Sequence, residues 1–291
     1  MKILVTGGAG FIGTNLIKRL LKDGHDVYSI DNYSTGLYSN EVYGATYWHD
    51  DITTINWEDQ NYIWNTDISF DAVFHLAAIA RIQPSFERPV DYFETNATAT
   101  MKLAKYCSDN KIPMIYAGSS SHHGGKMKNP YTFSKDIGEE IIDLFQKHYG
   151  LQSSIARFYN VYGPHHLKIG EYSTLIGRWE SCIEKNKPLI IYGDGTKKRD
   201  FTHVYDIVDA LILILEKESW GNIFELGRGK NYSVLDIAKM FNHPLLYRED
   251  KPGETLTTLC DYSLAKKLLE WQPKLNVEDY IENYKRNMNH G

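Results

Sequence analysis

The sequence predicts an α/β fold with a doubly wound parallel sheet and a smaller, interleaved α/β lobe in its C-terminal part. Two observations favour this fold. Short apolar segments alternate with amphipathic ones through residues 1–164, as strands and helices do when helices cover both faces of a parallel sheet. The first apolar segment also runs into glycines and then into an amphipathic run. We expect residues 1–164 to form the sheet domain and residues 165–291 the lobe, with residues 198–217 packing back onto the sheet.

Each predicted strand is a short apolar run bounded by polar or glycine-containing turns. In chain order the strands are Lys2–Thr6, Asp26–Ile30, Thr46–His49, Asp71–Leu76, Pro113–Ala117 and Ser153–Phe158. One long helix is expected over Tyr92–Cys107 and another from Tyr131. For the lobe we predict the helices Ser173–Lys185, Asp206–Leu215, Ser263–Leu269 and Val277–Asn287, the strand Pro188–Tyr192 and a charged loop over Arg248–Glu254.

The composition excludes several classes of protein. The 291 residues carry 32 basic and 37 acidic side chains, a net charge of −5, without a basic run of the kind that binds nucleic acid. Three widely spaced cysteines predict neither a disulfide framework nor a zinc site, and we expect no metal. No apolar stretch approaches the length of a membrane span. We therefore expect a cytoplasmic protein.

The first functional signal is the glycine-rich turn Gly7-Gly8-Ala9-Gly10-Phe11-Ile12-Gly13 between the first strand and the first helix. Gly7, Gly10 and Gly13 have the spacing of a dinucleotide-binding turn. Without side chains the backbone can approach a pyrophosphate, whose charge then lies at the positive end of the helix. A tight turn without a ligand is the alternative, but the flanking strand and helix favour a Rossmann-like nucleotide site.

The end of the second strand predicts which dinucleotide is bound. Asp31 and Asn32 stand there, and a carboxylate in that place can accept the hydroxyl groups of an adenosine ribose and would repel a 2′-phosphate. No arginine follows closely, so we expect NAD and not NADP. The small residues Ala77 and Ala78 after the fourth strand would let the cofactor lie against the edge of the sheet.

Tyr131 and Lys135 form a Y-x-x-x-K pattern at the start of a predicted helix. Residues i and i+4 share one helical face, so we expect the phenol and the ammonium to point the same way. Lowering the pKa of a tyrosine from about 10 to about 7 takes roughly 4 kcal/mol of differential stabilisation of the phenolate. The Lys135 charge and an oxidised nicotinamide nearby would supply it in a water-poor site. An exposed helical pair is the alternative.

Three serines, Ser119 to Ser121, follow the fifth strand and precede His122 and His123. Hydroxyl groups at the carboxyl end of a strand lie where a substrate oxygen would be held beside the cofactor. An ordinary serine-containing loop is the alternative.

The chain resembles the extended short-chain dehydrogenase/reductases, and within them the nucleotide-sugar epimerases of the UDP-glucose 4-epimerase type. The stretches that carry the resemblance run in the family's order along nearly the whole chain: Thr6–Gly13, Asp31–Gly36, His75–Ala78, Asn129–Tyr131 with Ser134 and Lys135, Arg157–Pro164 and Gly193–Val204. The resemblance implies a persistently bound NAD and a nucleotide sugar held between the lobes. It also implies a homodimer, formed through the helices over Asn96–Cys107 and Phe133–Tyr149.

The resemblance assigns roles to individual residues. Ser119, Tyr131 and Lys135 match the family's catalytic hydroxyl, base and lysine. Cofactor contacts are implied for Gly7, Gly10, Phe11, Ile12, Gly13, Asp31, Asn32, Ser34, Thr35, Gly36, Asp51, Ile52, Leu76, Ala77, Ala78, Asn96, Tyr131, Lys135 and Phe158. Substrate contacts are implied for Arg81, Ser119, Ser120, Asn160, Arg199, Lys251 and Thr258.

The implied reaction inverts C4 of a UDP-hexose, such as UDP-glucose or UDP-galactose, through a 4-keto intermediate. Tyr131 would take the proton of the 4-hydroxyl while Ser119 holds its oxygen. An alternative is a reductase or another epimerase that acts on a dTDP-, GDP- or ADP-sugar. A remote alternative is an NAD-binding regulatory protein without activity.

This chain departs from the family pattern at several positions. Ser120 and Ser121 stand where dehydratases have an Asp-Glu pair and where decarboxylases have a glutamate, so both activities are disfavoured. His122 and His123 replace a Val-Tyr pair, and we expect them to line the pocket. Eleven residues separate Ser119 from Tyr131, fewer than usual, which predicts a more open sugar pocket.

Two further departures concern the substrate. Lys251 replaces a phosphate-binding arginine, and a lysine cannot make the bidentate contact that an arginine makes. Thr258 aligns with a bulky residue that excludes N-acetyl sugars in some family members. The smaller threonine favours acceptance of UDP-N-acetylhexosamines.

Overall fold

The computed structural model describes residues 1–57 and 68–290 of the chain. The strands are β1 (Lys2–Thr6), β2 (Asp26–Asp31), β3 (Thr46–His49), β4 (Ala72–His75), β5 (Met114–Ser119), β6 (Ser153–Phe158), β7 (Val161–Tyr162), β8 (Leu189–Tyr192), β9 (Lys198–Asp200), β10 (Thr202–His203), β11 (Ile223–Leu226), β12 (Asn231–Ser233) and β13 (Leu245–Arg248). The helices are α1 (Phe11–Lys22), α2 (Ile82–Glu87), α3 (Pro89–Phe93), α4 (Ala99–Asn110), α5 (Pro130–Tyr149), α6 (Leu175–Glu184), α7 (Val204–Glu216), α8 (Val234–Phe241), α9 (Ser263–Leu269) and α10 (Val277–His290).

The central sheet is parallel, with strand order β11-β6-β5-β4-β1-β2-β3. The order reverses at β1, because β2 lies on one side of it and β4 on the other. This is a doubly wound sheet, and the predicted fold class is confirmed. Ligands of such sheets bind at the carboxyl ends of the strands, beside the point of reversal.

The apolar residues of β1 are buried because helices cover both faces of the sheet. Alternate side chains of a strand point to opposite faces. Ile3 and Val5 accordingly join the core beneath α1 and α7, and Leu4 joins the core beneath α4 and α5. All three are fully buried. A strand that is apolar at every position therefore indicates a sheet covered on both sides.

Segments from the C-terminal half complete this core. α7 packs against α1, and its residues Ile207 and Leu211 are fully buried. Leu269 of α9 and Trp271 join the same cluster. The domain bounds 1–164 and 165–291 stay a prediction, and the chain returns to the sheet after the lobe has begun.

The smaller lobe has a separate core. It combines Trp179 of α6, Ile191 of β8, Phe241 of α8 and Ile281 of α10. Short strand pairs, β8 with β13 and β9 with β12, support this core and carry the segments that face the central sheet.

The structure corrects three predicted elements. β11, which pairs with β6 and brings the sheet to seven strands, was not predicted from the sequence. The loop predicted over Arg248–Glu254 is wrong at its first residue, since Arg248 ends β13 opposite Tyr192. The long helix predicted over Tyr92–Cys107 contains a π-helical turn, Glu94–Thr98, between α3 and α4.

Candidate active site

A cleft of about 1000 Å³ lies along the carboxyl edge of the sheet and extends to the lobe. Two predicted site residues, Gly36 and Asn96, do not line it. The predicted residues that do line it are Gly7, Gly10, Phe11, Ile12, Gly13, Asp31, Asn32, Ser34, Thr35, Asp51, Ile52, Leu76, Ala77, Ala78, Arg81, Ser119, Ser120, Tyr131, Lys135, Phe158, Asn160, Arg199, Lys251 and Thr258.

The glycine turn fits a bound dinucleotide. Gly7 has a φ of +76°, and a Cβ at this position would lie 2.8 Å from the backbone nitrogen of Ala77. A Cβ on Gly13 would lie 2.2 Å from the carbonyl oxygen of Gly7. No side chain caps α1 at Gly10, and its first turn carries no acidic residue. The positive end of α1 is therefore open to a pyrophosphate.

Asp31 is held in place by backbone groups at the end of β2. Its carboxylate accepts hydrogen bonds from the backbone nitrogens of Ala9, at 2.9 Å, and Tyr33, at 2.8 Å. Burial raises the pKa of Asp31, and the two hydrogen bonds oppose that effect. Gly36 packs so closely on Asp31 that a Cβ would lie 2.9 Å from its Oδ1. Gly36 thus shapes the pocket from behind the carboxylate.

Asn32 and Asp51 lie side by side in the part of the cleft expected to hold the adenine. The Asn32 amide donates to Asp51 Oδ2 at 2.7 Å. The other carboxylate oxygen of Asp51 accepts from the backbone nitrogen and hydroxyl of Thr53. Hydrogen bonds to Thr53 and Asn32 lower the pKa of Asp51 against the opposing effect of burial.

Asn96 lies in the π-helical turn, and its side chain forms hydrogen bonds with the backbone of Ile79. Its side chain accepts from the Ile79 nitrogen at 2.9 Å and donates to the Ile79 carbonyl at 3.0 Å. It also donates to Ser134 Oγ on α5 at 3.0 Å. Asn96 therefore fastens the segment after β4 to the helix that carries Tyr131 and Lys135.

Ser119 and Tyr131 meet inside the cleft. The Tyr131 hydroxyl donates to Ser119 Oγ at 3.1 Å, and Ser121 Oγ lies 2.9 Å from the same oxygen. Lys135 is 3% exposed, and its ammonium lies 4.1 Å from the centre of the Tyr116 ring. The structure brings together the three residues that the sequence analysis singled out for catalysis.

The pKa of Tyr131 reflects several opposing effects. Burial raises it in the polypeptide alone, and the expected combined effect of Lys135 and an oxidised nicotinamide stays a prediction. The hydrogen bond with Ser119 and the charge of Arg81 oppose the increase. Burial also lowers the pKa of Lys135 to about 7, so the lysine is only partly charged at neutral pH.

On the lobe side, several predicted substrate ligands are engaged with protein groups. Arg199 Nη2 lies 3.1 Å from Glu254 Oε2. The Thr258 hydroxyl accepts from the Asp200 nitrogen at 3.3 Å and from the Asn160 amide at 3.4 Å. The ammonium of Lys251 lies 4.0 Å from the centre of the Tyr192 ring.

Two arginines of the cleft lack a carboxylate partner among the described residues. Arg81 precedes α2, and Arg178, which the sequence analysis did not single out, lies on α6. Arg178 donates to Ser173 Oγ at 3.2 Å. Burial lowers the pKa of Arg81, and the charge of Arg178 lowers it further. An arginine within an amphipathic helix carries no sequence signal that separates it from a surface residue.

His122 and His123, which follow the three serines, form hydrogen bonds with different elements. His122 Nδ1 lies 3.0 Å from Asp136 Oδ1 on α5. His123 Nε2 lies 2.9 Å from Glu225 Oε1 on β11. Neither histidine is among the residues that line the cleft, so the expectation that they line the pocket is wrong.

Comparisons with known proteins agree with this geometry. Residues 3–227 match the sequence profile of the NAD dependent epimerase/dehydratase family. A UDP-glucuronate 4-epimerase of Thermodesulfobacterium geofontis is 33% identical over 96% of this chain and 93% of its own length.

Two solved structures show the same arrangement of the chain. The UDP-glucose 4-epimerase of Thermotoga maritima with UDP-glucose has a TM-score of 0.89 at 27% identity, over 99% of both chains. The UDP-N-acetylglucosamine 4-epimerase of Methanobrevibacter ruminantium with UDP-N-acetylmuramic acid has a TM-score of 0.88 at 27% identity, over 100% of this chain and 99% of that one.

Within residues 1–57 and 68–290, none of the helices combines the length and the apolar character that a bilayer crossing requires.

Proposed function

The chain belongs to the NAD-dependent epimerase/dehydratase family, and on that premise we propose that it inverts C4 of a UDP-hexose through a 4-keto intermediate. The hydrogen bond between Tyr131 and Ser119 carries the proposal, because it joins a proton acceptor and a hydroxyl ligand in one cleft. A substrate oxygen beside Ser119 lies within reach of the Tyr131 phenol. UDP-glucose and UDP-galactose are the favoured pair.

Each residue then has a chemical role. Bound NAD supplies a reversible hydride acceptor, so the reaction needs no net oxidant. The glycine turn and Asp31 hold the dinucleotide, and Ser119 holds the sugar 4-oxygen. Tyr131 accepts the proton of the 4-hydroxyl and returns it when the opposite face has been reduced. Lys135, when protonated, favours the phenolate.

The nucleotide is held between the lobe and the end of the sheet domain. Arg199, Lys251 and Asn160 supply one guanidinium, one ammonium and one amide to the diphosphate. Arg199 is paired with Glu254 in the polypeptide alone, so binding of the diphosphate competes with a carboxylate. Because of this competition, we expect a lower affinity for the nucleotide than an unpaired arginine would give.

The small Thr258 supports acceptance of N-acetyl sugars. Thr258 lines the cleft, and its hydroxyl is occupied by Asp200 and Asn160. A threonine occupies less volume than an aromatic ring, so an acetamido group has room beside it. UDP-N-acetylglucosamine and UDP-N-acetylgalactosamine are therefore included in the proposal.

The unpaired Arg81 and Arg178 favour a second candidate function, C4 epimerisation of a UDP-hexuronate. Two guanidinium groups of the cleft, without an acidic partner among the described residues, repel each other, and that of Arg81 also acts on Tyr131. A carboxylate on the sugar would relieve that repulsion and accept a charge-assisted hydrogen bond. The relative from Thermodesulfobacterium geofontis, a UDP-glucuronate 4-epimerase, supports the same candidate.

A proton NMR time course of the purified protein tests the proposal. UDP-glucose, UDP-N-acetylglucosamine and UDP-glucuronate are supplied separately, without added cofactor. The galacto anomeric signal should grow with at least one substrate, and the rates rank the candidates. If the fastest substrate is UDP-glucuronate, Arg81→Gln should slow it at least tenfold more than it slows UDP-glucose, since loss of the charge disfavours Tyr131 ionisation with both substrates but removes a carboxylate contact with only one.

Two outcomes of these assays would reject the proposal. No epimer from any of the three, even with NAD added, would reject a UDP-sugar 4-epimerase and move the substrate to a dTDP-, GDP- or ADP-sugar. Net consumption of a reduced dinucleotide with one of those sugars would identify a reductase.

A further inference from the structure

The serine turn, Ser120–Gly124, must hold Ser119 beside Tyr131, although the two belong to different elements. Ser119 ends β5, and Tyr131 lies in the first turn of α5. Between them the chain forms two short 3-10 turns, Ser120–Gly124 and Lys126–Lys128, whose hydrogen-bond geometry is poorer than that of an α-helix. The 3.1 Å hydrogen bond between the Tyr131 hydroxyl and Ser119 Oγ therefore requires a further interaction that holds the serine turn against α5.

The bond between His122 and Asp136 is such a tie. Asp136 follows Lys135 on α5, and its side chain is 5% exposed. His122 Nδ1 lies 3.0 Å from Asp136 Oδ1, while Asp136 Oδ2 has no hydrogen-bond partner among the described residues. His122, whose own side chain is 41% exposed, is thus the group that compensates a buried carboxylate, and its loss would leave that carboxylate without a protein partner among the described residues.

Other ties of this loop do not replace it. His123 fastens the turn to Glu225 on β11, which does not carry the catalytic tyrosine. Lys126 pairs with Glu140 on α5, but both side chains are exposed, and exposed ion pairs contribute little. We propose that His122 is a positioning residue that, through Asp136, holds the serine turn against α5 and so sets the Ser119–Tyr131 contact.

Asp136 also contributes to the charge that Tyr131 faces. Burial raises the pKa of Tyr131, and the carboxylates of Glu139 and Asp136 on its own helix raise it further. Ser119 of β5 and Arg81 before α2 act in the opposite direction. The remaining titratable neighbours are Lys135 on α5, Tyr116 on β5, and Tyr92 on α3, whose ring meets that of Tyr131 edge-on.

A metal site at the same place is less consistent with the contacts. His122, Asp136 and Glu139 each offer a ligand atom, and these atoms lie within 4.8 Å of one another. Arg157, however, donates to both oxygens of Glu139, at 3.1 and 3.0 Å from its Nε. The Arg157 guanidinium therefore already neutralises Glu139. Only His122 and Asp136 would be left as candidate ligands, and they bond each other.

The inference rests on the proposed epimerisation and is tested with the NAD-containing enzyme by a double-mutant cycle. His122→Ala should lower kcat about tenfold and leave KM within about twofold, because the turn no longer presents Ser119 to the 4-oxygen. In a Ser119→Ala background the same change should cost less than about twofold, since the positioned group is already absent. His122→Asn, whose amide can still reach Asp136, should recover most of the loss.

Controls separate positioning from folding and from metal binding. His148→Ala changes an exposed histidine near the end of α5, the helix that carries Asp136, and should leave kcat unaltered. Equal losses from His122→Ala in both backgrounds would mean a general folding effect and overturn the proposal. Loss of activity on dialysis against a chelator, restored by Zn²⁺, would overturn it in favour of a metal.

A second readout does not depend on turnover. Ultraviolet difference titration of the enzyme against Tyr131→Phe reports the ionisation of Tyr131 without sugar. His122→Ala should move that ionisation to higher pH, because Tyr131 loses the hydrogen bond with Ser119 that favours the phenolate. An unchanged ionisation with an active wild-type enzyme would overturn the inference alone, whereas a wild-type enzyme without any turnover would reject the proposed function.

Discussion

Tyr131 sits where burial and hydrogen bonding act against each other. Burial opposes ionisation of its phenol, while Ser119 and Arg81 favour it. Lys135, at a pKa of about 7, is itself only partly protonated. The proton acceptor is therefore poorly activated by the polypeptide alone. We expect the cationic nicotinamide of bound NAD to supply the missing stabilisation, which would couple activation of the proposed base to occupancy of the cofactor site.

Tyr131→Phe tests this assignment at the level of a single oxygen. The change removes the proton acceptor and the bond to Ser119 while keeping the ring in its contact with Tyr92. We expect kcat to fall about 10²–10⁴-fold, the contribution that a positioned general base makes. NAD content after purification should not change. A variant with most of the wild-type rate would move the base to another residue.

At the residue scale, the sequence predicted groups that belong to a pattern with fixed spacing. Tyr131 and Lys135 were predicted from their i, i+4 spacing, and Ser119 from the family resemblance, because the proposed chemistry needs those residue types at those places. Arg178 and Glu254 could not, because an isolated charge on a helix or loop has no spacing to recognise. The state of Arg199 was missed for the same reason: its partner lies 55 positions along the chain.

At the scale of elements, the turn between β1 and α1 depends on glycines for a steric reason that can be tested. Gly7→Ala places a Cβ 2.8 Å from the backbone of Ala77 and also forces a non-glycine residue to a φ of +76°. We expect a loss of well over 1 kcal/mol in the free energy of unfolding, about 1 of it from the φ alone, and loss of bound NAD. Urea unfolding and absorbance of the extracted cofactor measure the two effects.

Gly24→Ala is the matched control. Gly24 has a φ of +83°, but a Cβ there meets nothing within 4 Å. It should show the conformational cost of about 1 kcal/mol without loss of NAD. Equal behaviour of the two variants would contradict the close approach of Gly7 to Ala77.

The elements were predicted well where a strand or helix is long and periodic. β1, β3 and β6 have the predicted bounds. β11 was missed, and so was α8, because short segments between turns resemble loops. The π-helical turn was also missed, since an extra residue in a helical turn leaves no mark in the hydrophobic pattern. That turn is where Asn96 reaches Ile79 and Ser134.

The stability of the whole molecule should fall at mildly acid pH because of His75. Its ring is 1% exposed and lies between the hydroxyls of Thr6, at 2.7 Å, and Thr100, at 2.9 Å. Burial lowers its pKa to about 3, whereas the unfolded chain protonates it near 6.5. The unfolded state thus binds the extra proton, and stability that is present above pH 6.5 is lost as the pH falls towards 3.

Between pH 7 and pH 5 this group should cost about 2 kcal/mol in the free energy of unfolding. Urea titrations of the wild type and of His75→Gln at both pH values measure the difference, which the variant should lack. If His75→Gln does not fold, the 15N chemical shifts of the His75 ring in the folded wild type still report whether the ring is protonated. A protonated ring at pH 6 in the folded protein would contradict the prediction.

The state of assembly is a second prediction at this scale. α4 and α5 pack together and expose Met101, Leu144 and Tyr149, at 45%, 48% and 55%. We expect a homodimer through these helices, with a mass in light scattering of twice 33.5 kDa. Leu144→Glu should halve that mass, because it places a charge in the apolar contact. A monomeric wild type would refute the predicted dimer.

The late position of β11 in the chain has a consequence for synthesis. β6 emerges from the ribosome well before β11, its neighbour at the edge of the sheet. At about 5–20 residues per second, the open edge of β6 stays without a partner for several seconds. During that interval a nascent chain offers an unpaired parallel strand to other chains. Protection of the growing polypeptide, more than the stability of the finished enzyme, should therefore limit how much of it a cell can make.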